Sequence, residues 1–447
     1  MSTSVQGSRT DAFAASLAEA RAAAPDGPDM LVPHDGEVLW SPRPPLRTER
    51  RLRLPVGSQR MTIWHVSTMK AGRQFLSARS KQGPDDPDGR PALSTAFEPP
   101  PLRWLRRHTG LVGAVLGRHP NYGGFWMLDE PRLGRARELV MAPFRPPAVE
   151  QLDALVERTA REVLDEHLAR DRDRLDVADY SSDVVFRLMA YLLGADPAGA
   201  PALGRRFGAW VHRFNESPSL AALDRQPDIY RGLARMIRQH DGTPGVLADV
   251  QAAWRRGDDL GGKGRATLAD YVLLLWALVF AGTDTPITAA AQTVWFARQH
   301  GSYQQLADRP VAARAVAEAL RYYPPFPKPL MHVTRDVPLP GGAVARAGEW
   351  IELHLPAMNR DPEMFVHPHV YDPGRPDAAG ARTFGGGAHR CLGNHYGVRI
   401  DEHLLVTLSE RLPGLAPLPG HPYTRQAGLL HRIESLPMAT GAATRAF

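Results

Sequence analysis

The only cysteine of the chain, Cys391, lies in Phe384-Gly385-Gly386-Gly387-Ala388-His389-Arg390-Cys391-Leu392-Gly393. One thiol makes no internal disulfide, so it acts as a small buried hydrophobe, a reactive group or a metal ligand. The flanking glycines remove side chains where a planar body could press on the backbone. His389 and Arg390 put cationic donors beside the sulfur, and nearby N–H groups and positive charge favour a thiolate. His389, Cys391 and His395 could also belong to a zinc site, although no fourth ligand stands at short spacing. A second candidate is Ala281-Gly282-Thr283-Asp284-Thr285-Pro286, polar residues that follow an apolar run. Such groups in mid-helix cost stability unless they serve something. Pro286 lacks the N–H that would bond the Gly282 carbonyl, so the helix should open there. The Thr285 hydroxyl can then reach a carbonyl one turn back. The plain alternative is a satisfied aspartate at a kink. Glu318-Ala319-Leu320-Arg321 places an acid and an arginine on one helix face, by itself the pattern of an ordinary surface pair.

These groups need a scaffold. Thr267-Leu268-Ala269-Asp270 reads as a capping box, and the following run through Phe280 is apolar nearly all round, as a buried helix is. Between Glu130 and Arg170, Leu139, Val140, Phe144, Leu152, Leu155, Val156, Val163, Leu164 and Leu168 recur at helical spacing. Helical patterns continue over Asp183–Gly194, Ala202–Asn215 and Ile229–Arg238. A Gly/Pro/Asp-rich patch, Asp241 to Gly264, reads as a separator. Leu52-Arg53-Leu54 and Thr62 to Val66 suggest a small strand pair. After Tyr323 the chain turns to short β-like pieces, then a last helix from about Leu392 to Leu412. Residues 1–45, with Pro25, Pro28, Pro42, Pro44 and Pro45, read as a loose arm. Residues 46–447 read as one large domain, mainly α with small β-sheets.

The cysteine stretch resembles the haem-binding loop of the cytochrome P-450 family, Phe-Gly-x-Gly-x-His/Arg-x-Cys-x-Gly, with every defined position filled. Ala281 to Thr285 resembles the family's Ala-Gly-x-Asp/Glu-Thr stretch. The order Glu318-x-x-Arg321, then Asn359-Arg360-Asp361-Pro362, then Arg375, then the cysteine loop is also similar, and the likeness covers roughly residues 50 to 440. The resemblance implies the cytochrome P-450 fold and haem b with Cys391 as axial thiolate, in a loop shaped by Phe384, Gly385, Gly387 and Gly393. It implies room over the haem at Ala281 and Gly282, and an acid–alcohol pair, Asp284 and Thr285, relaying protons to bound dioxygen. Glu318, Arg321 and Arg375 would be an ion triad fixing the loop. Arg137 and His389 match positions that hold the haem carboxylates. Two positions depart from the family: Leu133 stands where histidine is frequent, and Met331 where an arginine is usual five residues before Asp336. His332 or Arg135 is the expected substitute. Pro286 is also less usual after the threonine. By the same likeness, the substrate pocket would draw on Asn121, Tyr122, Phe125, Trp126, Trp210, Phe214, Phe280, Leu330 and His431.

The implied function is a bacterial-type haem-thiolate monooxygenase that hydroxylates or oxidatively couples a small organic substrate, such as a natural-product intermediate. No flavin or iron–sulfur segment is evident, so electrons would come from an acidic ferredoxin-type partner and its reductase, docking near Arg132, Arg135 and Arg390. A peroxide-driven enzyme and a non-catalytic haem-binding protein are the rivals. The net charge of +6 suits an acidic partner, but no nucleic-acid motif appears. At 43% hydrophobic residues the chain can build a large core. The first 30 residues lack the apolar run of a signal peptide or anchor, and Tyr271 to Gly282 is too short to span a bilayer. With a single free thiol, the expected location is cytoplasmic.

Overall fold

The computed structural model describes residues 29–34, 37–41, 47–53, 58–79, 91–94, 128–196, 198–216, 226–260, 266–420, 424–427 and 430–441. Its helices are α1 (Met69–Ala78), α2 (Arg132–Val140), α3 (Pro146–Glu150), α4 (Asp153–Arg170), α5 (Val177–Leu192), α6 (Ala200–Glu216), α7 (Gln226–Gln239), α8 (Val246–Arg256), α9 (Leu268–Ala281), α10 (Asp284–Gln299), α11 (Arg309–Tyr322), α12 (Leu355–Met358) and α13 (Asn394–Arg411). The strands are β1 (Asp29–His34), β2 (Glu37–Ser41), β3 (Arg47–Arg53), β4 (Ser58–Val66), β5 (Leu93–Ser94), β6 (Arg174–Asp176), β7 (Leu330–Val333), β8 (Val337–Pro338), β9 (Val344–Ala345), β10 (Trp350–Leu353), β11 (Ala416–Pro417), β12 (Thr424–Ala427), β13 (His431–Ser435) and β14 (Pro437–Ala439). The architecture is mainly helical, with small sheets at the margin.

Helices α5, α10, α11 and α13 pack on one another. Ala290, Ala291 and Val294 of α10, Val316 and Ala319 of α11, and Leu404, Leu405 and Leu408 of α13 are fully buried in their contact. Small alanines on α10 let the neighbouring axes approach. The capping box at α9 forms, with the Thr267 N–H donating to Asp270 Oδ2 at 2.8 Å. Every residue of α9 from Tyr271 to Phe280 is buried. The apolar stretch is longer than Tyr271 to Gly282: Leu268–Gln299 is long and apolar enough to cross a bilayer, but 83% of its most apolar window is buried inside the protein. It serves as the core helix.

Strand order in the main sheet is β3-β4-β10-β7-β5. Strands β4 and β10 are parallel, with Ile63 opposite Trp350; β7 runs antiparallel to β10, with His332 opposite Trp350. Met331 and Val333 face a second apolar cluster with Ile351, Leu353, Phe75 and Leu76.

Two expectations change. The patch from Asp241 to Gly264 is not merely a separator, since it contains α8. Val246, Val250 and Ala253 are buried at helical spacing, and Gly257 at φ 75° ends the helix in the left-handed conformation. Gly and Asp dominate the flanks, while the buried apolar positions, Leu247 with these three, decide the outcome. Within the stretch expected to be a loose arm, β1 and β2 pair as an antiparallel hairpin; its other residues up to 45 lie outside the described ones.

On the buried face of α13, Asp401 is 1% exposed, and its Oδ1 has no hydrogen-bond partner in the protein. Burial first, then Glu402, push its carboxyl well above the usual range. A carboxyl raised in the fold binds more protons folded than unfolded, so its contribution is present at low pH and lost as pH rises through the folded pKa. Asp401→Asn is therefore expected to raise the thermal midpoint relative to wild type, increasingly from pH 5 to pH 8, in parallel unfolding scans. A constant offset across that range would show that Asp401 does not titrate with folding.

Candidate active site

The cysteine loop is a tight reversal between the segment after α12 and the start of α13. The Cys391 N–H donates to Phe384 O at 2.9 Å, and Gly385 N–H to Arg382 O at 2.8 Å. Gly385 and Gly387 have φ of 66° and 64°, in the region that favours glycine. A Cβ on Gly387 would meet the Leu76 carbonyl oxygen of α1 below any allowed separation, so the loop is seated directly on the α1 backbone. From Gly393, α13 begins.

Cys391 is exposed, yet its sulfur is ringed by protein, which places it on the wall of an interior recess. Burial pushes the thiol up, while the Gly393 N–H, Arg137 and Arg390 pull it down. The net direction is upward, so the basic neighbours do not by themselves give a thiolate, contrary to the expectation from sequence. Positive charge delivered to the sulfur, as by a metal ion, deprotonates such a thiol. His389 is not a cation either. Burial, then Arg79 and Arg137, lower it to about 2, leaving a neutral ring that donates through one N–H.

Arg79, at the end of α1, is a member of this cluster that the sequence reading missed. It is buried, its Nε has no partner in the protein, and burial lowers it to about 10 against the pull of Asp129. Arg137, projecting from α2, is lowered by burial and raised by Cys391 and Glu130. Arg79 and Arg137 thus converge on His389, and Arg137 also lies near the sulfur. Desolvated guanidinium groups are expensive without an anion, so the recess suits a ligand that offers a metal to Cys391 and carboxylates to this cluster. A haem has both, and the donor set fits it.

The second candidate site lies at the junction of α9 and α10. Helix α9 ends at Ala281, and α10 resumes at Asp284. Between two buried stretches, Ala281 is exposed, and Gly282 and Thr285 are partly so. Thr285 Oγ1 donates to Ala281 O at 3.1 Å. Asp284 is buried and lies 3.4 Å from Arg432 Nε. A Cβ at Gly282 would meet Leu278 O and Met189 Cε.

Behind the loop, Glu318, Arg321 and Arg375 come together with almost no exposure. Arg321 Nε donates to Glu318 Oε2 at 2.7 Å and Nη2 to Oε1 at 2.8 Å; Arg375 Nε donates to Oε1 at 3.1 Å. Arg321 Nη1 also donates to Asn359 O at 2.8 Å. Asn359 Oδ1 accepts from Arg382 N at 2.8 Å, and its Nδ2 donates to Thr383 Oγ1 at 2.9 Å. Asn359 is therefore the link from the triad to the start of the cysteine loop.

Other expected residues fall differently. Met331 is fully buried in the sheet's apolar cluster and cannot serve a ligand. His332 lies on the other face of β7, against the Trp350 ring at 5.1 Å. Arg135 is bonded to Asp259 at 2.9 Å and Arg132 to Asp270 at 3.5 Å, so both are engaged outside the recess. Trp210 is a core residue, packed against Phe207 and Gly232, and Phe280 packs on Trp276. Leu330 is exposed. His431 is buried and stacks on Tyr323 at 5.0 Å. Phe214 lies in α6, its side chain outside the description; Asn121, Tyr122, Phe125 and Trp126 lie outside the described residues.

The family model described as Cytochrome P450 matches residues 274–398, which span the helix notch, the triad and the cysteine loop. The chain is 27% identical over 301 residues to putative cytochrome P450 133B1 of Xylella fastidiosa (strain 9a5c), covering 65% of this chain and 72% of that protein. It is 28% identical over 366 residues to putative cytochrome P450 140 of Mycobacterium bovis (strain ATCC BAA-935 / AF2122/97), covering 77% and 79%. The chain belongs to the cytochrome P450 family. Among solved P450 structures, the tirandamycin C-bound monooxygenase TamI superposes with a TM-score of 0.69 at 23% identity, over 88% of this chain and 94% of that one, which shows the shared fold. As a P450, the protein is a monooxygenase, an oxidoreductase of a haem-binding family.

Proposed function

We propose that the protein binds haem b through Cys391 and uses dioxygen to oxidise a small organic molecule, with residues 46–447 as the catalytic unit. The observation that carries this reading is the open thiol of Cys391, ringed by protein, with the Arg79 and Arg137 guanidiniums beside His389 and Arg137 also beside the sulfur. Cys391 Sγ would ligate the iron, and Phe384, Gly385, Gly387 and Gly393 would shape the loop around it. Arg137, His389 and Arg79 would hold the haem carboxylates. When bound, the haem supplies one-electron and dioxygen chemistry, and the thiolate favours O–O cleavage.

The chain's own residues do the rest. Ala281 and Gly282 keep the notch clear. Thr285 Oγ1, which already donates to Ala281 O, holds a proton there, and Asp284 replaces it. The triad, through Asn359, keeps the loop in place. Of the described residues expected to line the substrate, Leu330 is the exposed one and would do so.

Electrons would arrive from an acidic ferredoxin-type protein with its reductase. Arg132 and Arg135 are already paired, which shifts the docking surface to Arg73, Arg382 and Arg390. These three lie close enough that Arg73 and Arg390, after burial, depress Arg382. A natural-product intermediate is the favoured substrate class, supported by the likeness to the tirandamycin C-bound enzyme. A cytoplasmic protein fits the same reading.

The test is a reduced-plus-carbon-monoxide difference spectrum of purified protein. A strongly red-shifted Soret band supports thiolate ligation by Cys391, and a colourless protein overturns it. Thr285→Ala is expected to leave that band unchanged while product formed per reductant consumed falls roughly 10²-fold, the low end for a positioned proton donor. Full turnover with peroxide and no reductant would favour the peroxide-driven alternative.

A further inference from the structure

Helices α4, α5 and α6 line a cavity of about 210 Å³ that contains no residue of the cysteine loop, of the Arg79, Arg137 and His389 cluster or of the α9–α10 notch. Its shape follows from the sequence. Gly204 and Gly208 of α6 face α5: a Cβ would stand 3.0 Å from Arg187 N at the first and 3.4 Å from the Phe186 ring at the second. Missing side chains let α6 lie close on α5. Between α4 and α5, two long side chains span the gap instead. Arg187 donates to Glu166, from Nη1 to Oε1 at 3.1 Å and from Nη2 to Oε2 at 3.0 Å. The space left beside this pair is small next to the roughly 300–1,000 Å³ of a drug-sized ligand site.

The charged lining is uneven. Three arginines, Arg170, Arg187 and Arg205, stand against two acids, Glu166 and Asp183. Both acids already have a donor at hydrogen-bond distance. Glu166 takes both arms of the buried Arg187, and Asp183 lies 2.9 Å from His167 Nε2. Arg170 reaches Asp183 only at 4.0 Å, with its side chain 64% exposed. Arg205 is exposed and has no ion pair among the described residues. Positive charge is therefore left over on two walls, Arg170 on α4 and Arg205 on α6. Ser182 of α5 adds a hydroxyl, and Phe186 and Ala209 add apolar surface. A guanidinium fork matches the two oxygens of a planar carboxylate.

We propose that this cavity is a binding site for a small organic carboxylate, held between Arg170 and Arg205 with its apolar body against Phe186 and Ala209. The size of the space sets a ligand of a few carbons or one ring. The apolar surface favours an organic acid over inorganic phosphate, because it gains from burying a hydrocarbon part. The bound anion joins α4 to α6 through charge, and it leaves the Glu166–Arg187 pair in place. The site depends on neither the haem nor the notch, so its occupant is a ligand additional to the molecule being oxidised.

The test titrates the haem-loaded protein with benzoate and with hexanoate by calorimetry, beside neutral benzamide and inorganic phosphate. Wild type is compared with Arg170→Gln, Arg205→Gln and Ala209→Trp. Both arginines are exposed, so their replacement leaves the fold intact, and Ala209 is exposed and lines the cavity, so an indole there fills it. The haem absorption spectrum is followed in the same titrations, since an acid bound beside the haem moves it and one bound between α4 and α6 does not. At least one of the two carboxylates is expected to bind at a single saturable site with the spectrum unmoved. Each arginine variant should weaken that binding about tenfold or more, the loss of a charged hydrogen bond. Ala209→Trp should abolish it, and benzamide should not bind. Failure of both carboxylates to bind overturns the proposal, as does binding that both arginine variants retain or that moves the haem spectrum. Phosphate binding as tightly as the carboxylates overturns the organic class. If Ala209→Trp does not fold, the two arginine variants decide.

Discussion

Cys391→Ser is expected to abolish the red-shifted Soret band of the reduced, carbon monoxide-treated protein and to bring product formation to background. The fold should survive. Cys391 is exposed on the recess wall, so the change removes no core packing, and its stability effect should fall within about 0.5 kcal/mol, as for other substitutions away from the core. Serine keeps the shape but not the chemistry: its hydroxyl is far harder to ionise, and oxygen is a poorer electron donor to iron than sulfur. Urea unfolding of haem-free wild type and variant separates the two effects. Matching unfolding curves with a lost band assign Cys391 to ligation. A retained band would move the ligand elsewhere.

Glu318→Gln should be the most destabilising single change behind the site, costing about 3–5 kcal/mol, because it removes the charge that the fully buried Arg321 faces and leaves Arg375 with Asp377 as its acid. Against a net stability of about 5–15 kcal/mol for a typical domain, that is a large fraction. Glu318 also accepts the Asp372 N–H at 2.8 Å, so the segment before Arg375 loosens too. Arg321→Lys should fail to rescue, since Arg321 donates to both Glu318 oxygens and to the carbonyls of Asn359, Pro368 and Val370, a fork that an ammonium cannot match. Denaturant midpoints and haem content should fall together. A loss below about 1 kcal/mol would mean that the triad behaves like a surface pair.

The parts of this site that could be read from sequence are those written in contiguous residues. The cysteine loop, the Ala281 to Pro286 break and the Glu318–Arg321 spacing each carry their geometry locally, through glycine conformation, a missing proline donor and helical period. What could not be read depends on partners far along the chain. Arg79 joins Arg137 and His389 only because the loop docks on the α1 backbone at Leu76, and nothing around Arg79 signals that. Trp210 looked like a pocket aromatic, but Gly232 of α7 leaves room for its ring in the core. Arg132 and Arg135 read as a free basic face, and distant aspartates pair with them. Helix α8 was hidden because its few buried residues sit between turn formers.

The pairing of β4 with β10 also bears on how the chain is made. Residues 63–66 find their parallel partner only at residues 350–353. During synthesis β4 can pair with β3 at once, while its other edge stays open until most of the chain has left the ribosome. An open edge is a template for the wrong neighbour, and long-range pairings of this kind close slowly. A nascent chain halted before Trp350 should therefore depend on chaperones, and the sheet beside the recess should be among the last parts of the molecule to assemble.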